Sequence, residues 1–384
     1  MRNILKIELN PERIYGLDIL RAFAILFVVA GHGEVLLPRQ LKSINDFFVF
    51  DGVSIFFVLS GFLIGGILIK ILEKNQITIN LLFEFWIRRW FRTLPNYFLI
   101  LITLGILHFF LTDHFSFWSI KSYFIFSQNL FSEHPSWFFP EAWSLSIEEW
   151  FYLLVPIIIF SLIKIIKFST RKAVLFTAVL MIILVTCFRF MRYNFVHVEN
   201  ITEWDSLYRK QVFTRLDSLM YGVIGAYFNF HHISNWLKYK NIFFILGIIL
   251  LISSKIIIPN LFFVGGIYSC VFSFSVISLG TLFLLPFLND FKKGKSVFYK
   301  IITYISLVSY SMYLLNLSIV REWIINKINW NDILSNGYLI IIIKYSLYWF
   351  LTIVLSILLY KYFEIPLTKL RDYKRIKKTN KTGI

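Results

Sequence analysis

The sequence predicts an all-α polytopic membrane protein of about ten transmembrane helices with both termini cytoplasmic. Three observations predict it. The 384 residues are 58% hydrophobic and only 16% charged, with a mean hydropathy of +0.69, whereas a soluble domain of this size carries far more charge. Apolar runs of about 20 residues, each long enough to cross a hydrocarbon core, recur along the whole length, without the apolar/polar alternation of a membrane β-barrel. The basic residues are unevenly shared between alternate loops. With the N-terminus inside, 26 of the 39 Lys and Arg fall in inside segments, 10 in outside segments (counting Arg189 and Lys255, at the outer ends of their spans) and three (Arg21, Arg215 and Lys344) deeper within spans, the bias that orients membrane proteins.

The spans are expected near 17–36, 47–69, 94–112, 143–163, 173–190, 212–230, 241–258, 262–288, 302–320 and 338–360. Only "PNL" after Ile258 separates the seventh from the eighth. The chain reads as one domain over 1–384: a cytoplasmic segment 1–16, a transmembrane core 17–360 and a basic cytoplasmic tail 361–384. The formal charge of +17 then needs no nucleic acid, because inside loops anchor the topology and the tail "KLRDYKRIKKTNKTGI" suits anionic lipid headgroups. The first residues do not form a secretory signal, since the polar stretch is long and the span that follows carries Asp18 and Arg21. The expected location is the cell (cytoplasmic or inner) membrane. Cys187 and Cys270 fall within spans and read as packing residues, and no His, Cys, Asp or Glu spacing resembles a metal site.

Charges inside spans are costly and mark function or a partner. In "GLDILRAFAILFVVAGH" (16–32), Arg21 and His32 are eleven residues apart, three turns and about 20°, hence on one face and about 16 Å apart along the axis. Asp18 is expected to pair with Arg21 three residues on. In "EAWSLSIEEWFYLLVP", Glu148 and Glu149 point about 100° apart. Ser144 and Tyr152 share the face of Glu148, which makes Glu148 the inward carboxylate and a candidate acid–base partner of His32 at a similar depth. The bland alternative is a carboxylate that only anchors the helix start. "WIRRWFRTLP" is either a basic-aromatic headgroup anchor or an arginine clamp for phosphate built from Arg88, Arg89 and Arg92. Arg215 and Asp217 lie about 200° apart, so at least one should reach another helix, and Gly222 and Gly225 permit close helix contact.

Seven stretches, taken in order, resemble the acyltransferase-3 family of integral membrane O-acyltransferases. They are Arg21 with His32 after ten intervening residues, "FFVLSGFLI" (56–64), "RWFR" (89–92), "WSLSIEEWFYL" (143–153), "RLDSLMYG" (215–222), "YSMYLLN" (310–316) and "FEIP" (363–366). The resemblance implies an O-acetyltransferase that moves an acyl group, usually acetyl, from cytoplasmic acyl-CoA to a hydroxyl of a cell-surface or lipid-linked glycan. Acetyl-CoA is then a donor substrate, and no cofactor is bound permanently. By position His32 corresponds to the family's catalytic histidine, Arg21 to its basic partner, Arg89 and Arg92 to its paired arginines and Glu148 to its acidic residue. The family often has histidine where this chain has Asn316. Some members also carry a C-terminal SGNH hydrolase-like domain, so either the membrane core is expected to complete the transfer alone or a separate SGNH-type or glycan-assembly protein helps. In this reading the arginines hold the CoA phosphates, His32 acts as general base and Arg215 or Arg21 stabilises the oxyanion. A glycan transporter or flippase using the charged passage is the alternative, although the paired repeats of many transporters are missing.

Overall fold

The computed structural model describes residues 13–113, 115–257, 264–294, 297–333 and 335–370. Eleven helices are used here: α1 (Tyr15–Gly33), α2 (Arg39–Phe48), α3 (Gly52–Lys74), α4 (Ile79–Leu111), α5 (Ala142–Lys164), α6 (Thr170–Phe195), α7 (Leu216–His231), α8 (Lys240–Ile252), α9 (Ser273–Asp290), α10 (Val297–Leu315) and α11 (Gly337–Leu359). No strand occurs among the described residues. The chain is a multi-pass membrane protein: among the described residues, eight helical stretches are long and apolar enough to cross a bilayer.

The helices at the sixth and seventh expected spans are shorter than that. Helix α7 has 16 residues and α8 has 13 before a π turn at Ser253–Ile257. The chain enters α7 late: helical backbone begins only at Leu216, and just before it the Thr214 carbonyl accepts from the Arg189 side chain at 2.8 Å. The opposite correction applies to the third span. "WIRRWFRTLP" is not a separate interfacial segment but part of the 33-residue α4, about 50 Å long and so longer than the hydrocarbon core. The junction of the seventh and eighth spans, most of segment 1–16 and the tail beyond residue 370 lie outside the described residues.

Side-chain caps start several helices. Asp51 accepts from the Ser54 amide at α3, Ser169 from Lys172 at α6 and Asn336 from Tyr338 at α11, each satisfying an otherwise orphaned donor. Helix α3 is the centre of the bundle, packed against α1, α5, α6, α7 and α9. Its closest partner is α7. A Cβ on Gly61 would collide with the Leu219 carbonyl, and one on Gly222 with the Val58 carbonyl, so the two backbones meet where both sequences supply glycine. The outward faces are apolar, with Ile102, Ile106 and Phe109 of α4, Ile245 and Ile249 of α8 and Phe350 of α11 exposed, as a lipid-facing surface requires.

Polar side chains staple the bundle from inside. Arg189 of α6 and Asp217 of α7 form a 2.7 Å ion pair with neither side chain exposed, and Arg189 also donates to Ser275 of α9 at 3.0 Å. Arg215 reaches α3, donating to the Ser54 hydroxyl at 2.6 Å and lying 4.2 Å from the ring centre of Phe274. At the far end of the chain, Glu364 accepts from Asn96 at 2.9 Å and Ser311 at 3.2 Å, which ties the "FEIP" stretch to α4 and α10.

Two predictions follow from this packing. Gly222→Leu forces the α3–α7 backbones apart, and overpacking typically costs about 1–3 kcal/mol or more; detergent-extracted protein should lose its single size-exclusion peak or melt several degrees lower. Arg189→Leu strands a buried carboxylate, at a typical cost of about 3–5 kcal/mol. The double variant Arg189→Leu with Asp217→Leu should melt closer to the original than Arg189→Leu alone.

Candidate functional site

Two cavities penetrate the bundle, one from each end of α1. The first, about 130 Å³, is lined by Arg21, Arg89, Arg92, Glu148, Tyr152 and Tyr310, among others. The second, about 620 Å³, is lined by His32, Trp143, Arg209, Lys210, Arg321 and Trp323, among others. Val53 and Tyr313 belong to both linings. These two side chains form the partition between an arginine cavity and a histidine cavity.

Five of the sequence motifs contribute to the lining of the arginine cavity. Arg21 comes from the first half of α1. Arg89 and Arg92, one turn apart on α4, point the same way, as their spacing of three requires. Glu148, Ser144 and Tyr152 share one face of α5 and all line the cavity. The Tyr152 hydroxyl donates to Glu148 at 3.1 Å and lies 3.1 Å from the Ser60 hydroxyl. Glu149 turns away, accepting from Thr93 at 2.8 Å. Of the three arginines expected to act together, Arg88 is the exception: it faces Glu84 at 3.8 Å on the helix surface and does not line the cavity.

The histidine cavity gathers residues from the far ends of α1 and α4, from the segment before α5 and from the π-helical stretch Asn316–Ile325 that continues α10. Nδ1 of His32 lies 2.6 Å from Oδ1 of Asn316, and Arg321 donates to the His32 carbonyl at 2.8 Å. Arg209 sits over the Trp143 ring, 5.1 Å from its centre, between Asp205 at 2.9 Å and Asp51 at 3.7 Å. Lys210 pairs with Asp205 at 2.5 Å. Burial opposes the charge of the Asp205 carboxylate, but Arg209 and Lys210 outweigh it and hold the carboxyl below its usual range. Glu141, just before α5, accepts from the Ser318 hydroxyl at 2.6 Å and its amide at 3.2 Å. Burial pushes this carboxyl up to about 7 against those hydrogen bonds.

The partition is anchored at the start of α5. The Tyr313 hydroxyl donates to the Glu141 carbonyl at 2.9 Å and lies 2.6 Å from the Ser144 hydroxyl. Swinging Tyr313 aside would join the two cavities along the face of α1 that carries Arg21 and His32.

Several expected contacts are redistributed. Asp18 does not pair with Arg21; it binds Arg13 and the Ser306 hydroxyl, the latter at 2.6 Å, which leaves Arg21 to the cavity. His32 and Glu148 are not brought together, because Glu148 lies on the arginine side of Tyr313 and His32 on the other; the partner of His32 is Asn316. Arg215 lines neither cavity. It is fully buried and serves the α3–α7 junction, so it is no candidate for an oxyanion. Asp217 is likewise spent on Arg189. The arginines that do share a cavity with His32, Arg209 and Arg321, count among the loop charges in the sequence. Their signal was slight: each sits at the edge of an apolar run, where position along the chain does not tell whether a side chain faces headgroups or folds back into the bundle.

Comparison with known proteins follows the same geometry. The chain is 27% identical over 386 residues to O-acetyltransferase OatA of Staphylococcus aureus, covering 94% of this chain and 58% of that protein. It is 34% identical over 171 residues to peptidoglycan O-acetyltransferase OatA of Listeria monocytogenes, covering 41% and 26% respectively. The chain thus spans little more than half the length of the Staphylococcus relative. No solved structure matches it. The Acyl_transf_3 family, an acyltransferase domain, matches residues 14–361, a stretch that contains both cavities, their partition and six of the seven motifs read from the sequence, all but "FEIP" (363–366); the chain belongs to this acyltransferase family.

Proposed function

We propose that this protein is a membrane O-acetyltransferase that carries an acyl group across its own partition, from acyl-CoA in the arginine cavity to a glycan hydroxyl in the histidine cavity. The observation that carries the reading is the pair of cavities that share Val53 and Tyr313, one rich in arginine and the other holding the histidine. The loop charges favour the cytoplasm for the arginine side, which is where acyl-CoA is found. The names of the relatives, O-acetyltransferase and peptidoglycan O-acetyltransferase, favour acetyl as the group and a saccharide as the acceptor.

In this reading the CoA phosphates meet the guanidinium forks of Arg89 and Arg92, a geometry well suited to phosphate oxygens, at the mouth where Arg92 is exposed. The narrow pantetheine arm threads the small cavity toward Tyr313. The larger cavity, with the faces of Trp143 and Trp323 beside polar groups, suits a saccharide that has apolar ring faces and hydroxyl edges. His32 takes the proton from the acceptor hydroxyl as its oxygen attacks the thioester carbonyl. The carbon–sulfur bond breaks, CoA leaves as the thiolate, and the proton on His32 passes to it. Arg321 and Arg209, in the cavity with His32, take the place of Arg215 as the cations nearest the developing charge. The membrane is the cell membrane, with the acceptor a surface or lipid-linked glycan on its outer side, and a separate SGNH-type or glycan-assembly protein is a candidate partner.

His32→Ala should lower ester-linked acetate on the host's surface glycans by about 10²–10⁴-fold, the usual worth of a positioned base, with an unchanged amount of protein in the membrane. Full acetylation in this variant would sink the reading. Arg89→Ala combined with Arg92→Ala should weaken acetyl-CoA binding to purified protein by roughly tenfold per arginine, given about 1.5–3 kcal/mol for each hydrogen bond to a charged group. Unchanged affinity would return these arginines to lipid anchoring.

A further inference from the structure

We propose that Asn316 is a positioning residue that locks His32 in one tautomer, with the proton on Nδ1 and a bare Nε2 left for the histidine cavity. The proposal deepens the reading of His32 as the base and rests on it for its functional consequence, but the tautomer itself follows from geometry.

Asn316 is fully buried and stands at the first residue of the π-helical stretch that continues α10. Helices that widen in this way often do so at functional sites. Here the amide side chain folds back on the preceding turn, and Nδ2 donates to the carbonyls of Met312 and Tyr313, each at 2.8 Å. Both amide hydrogens are thereby used. Turning the amide over would set Oδ1 against two carbonyl oxygens, so the orientation is fixed by charge. The atom presented to His32 is therefore an oxygen, 2.6 Å from Nδ1.

An oxygen that can only accept, facing a ring nitrogen at that distance, requires a hydrogen on the nitrogen. A neutral imidazole carries one N–H, and the hydrogen bond made by one nitrogen decides the state of the other. Nε2 is then the lone-pair atom. The nearby Tyr348 hydroxyl does not compete for the role, since it donates to the Val29 carbonyl at 2.9 Å and stands 3.3 Å from the same Asn316 oxygen. The same π stretch also holds the backbone of the histidine, because Arg321, five residues after Asn316, donates to the His32 carbonyl at 2.8 Å. Ring and main chain of His32 are thus set by one rigid segment.

An amide has no proton to give or take near neutrality, so Asn316 can hold the tautomer without joining the transfer.

The test uses the full chain in lipid nanodiscs with ring-¹⁵N histidine, and the His32 signals are identified by their loss in His32→Gln. The wild type should show a protonated Nδ1 and an unprotonated Nε2. Asn316→Leu should shift His32 toward the other tautomer. It should also cut ester-linked acetate formation by roughly 10²-fold or more, by analogy with the cost of a wrongly held catalytic histidine, with the acetyl-CoA concentration for half-maximal rate unchanged. Asn316→Asp, which still offers an acceptor, should keep the Nδ1–H form and restore much of the rate. A wild-type proton on Nε2, or an unchanged tautomer in Asn316→Leu, would overturn the proposal. If Asn316→Leu fails to fold, the wild-type spectrum and Asn316→Ser decide it. Full activity of His32→Ala would instead remove the base reading and leave the tautomer result standing on its own.

Discussion

A charge inside hydrocarbon has to be met by the protein, since neither lipid nor bulk water is there to do it. The arrangement of this bundle depends on that constraint. Asp217 can lie in the centre of the fold because Arg189 reaches it from the next helix. Arg215 can lie beside it because Ser54 accepts its hydrogen and Phe274 covers its face. These staples join α3, α6, α7 and α9, and the glycine-to-backbone contact of α3 with α7 lets them close. With those charges engaged inside the bundle, the ones that line cavities stand out: Arg21, Arg89 and Arg92 on one side of Tyr313, and His32 with Arg209 and Arg321 on the other.

For the transfer proposed above, that division answers a chemical difficulty. The proposed thioester donor and glycan acceptor would differ in charge, width and the side of the membrane on which each is found. One continuous polar channel would serve neither well and would conduct water and ions. In the proposed reaction, two unequal cavities with a tyrosine between them would let each substrate meet walls of its own kind. Tyr313 suits the position because its hydroxyl is anchored on the start of α5 while its ring fills the gap.

Much of this was legible in the chain. Helix class, the positions of the long spans and the shared face of Arg21 and His32 follow from hydropathy and a period of 3.6, which depend only on local sequence. The face of Glu148, Ser144 and Tyr152 and the pairing of Arg89 with Arg92 follow for the same reason. What escaped depends on contacts between distant segments. Asp18 chose Arg13 and Ser306 over the Arg21 one turn away, because Ser306 comes from α10. His32 found Asn316, 284 residues later, and no periodicity links the two. Arg189, Arg209 and Arg321 read as loop charges because the ends of apolar runs do not reveal whether a long side chain snorkels outward or folds inward.

The central claim is that donor and acceptor meet across a partition, and a sided vesicle measures it most directly. Inside-out membrane vesicles holding the protein are given acetyl-CoA with a labelled acetyl group on their outer, cytoplasmic face. The account predicts that free CoA stays outside while labelled acetyl ester accumulates inside, and that a bulkier seal at the partition, Tyr313→Trp, slows both together. Labelled ester on the same face as the CoA, or CoA entering the vesicle with its acetyl group, would contradict it.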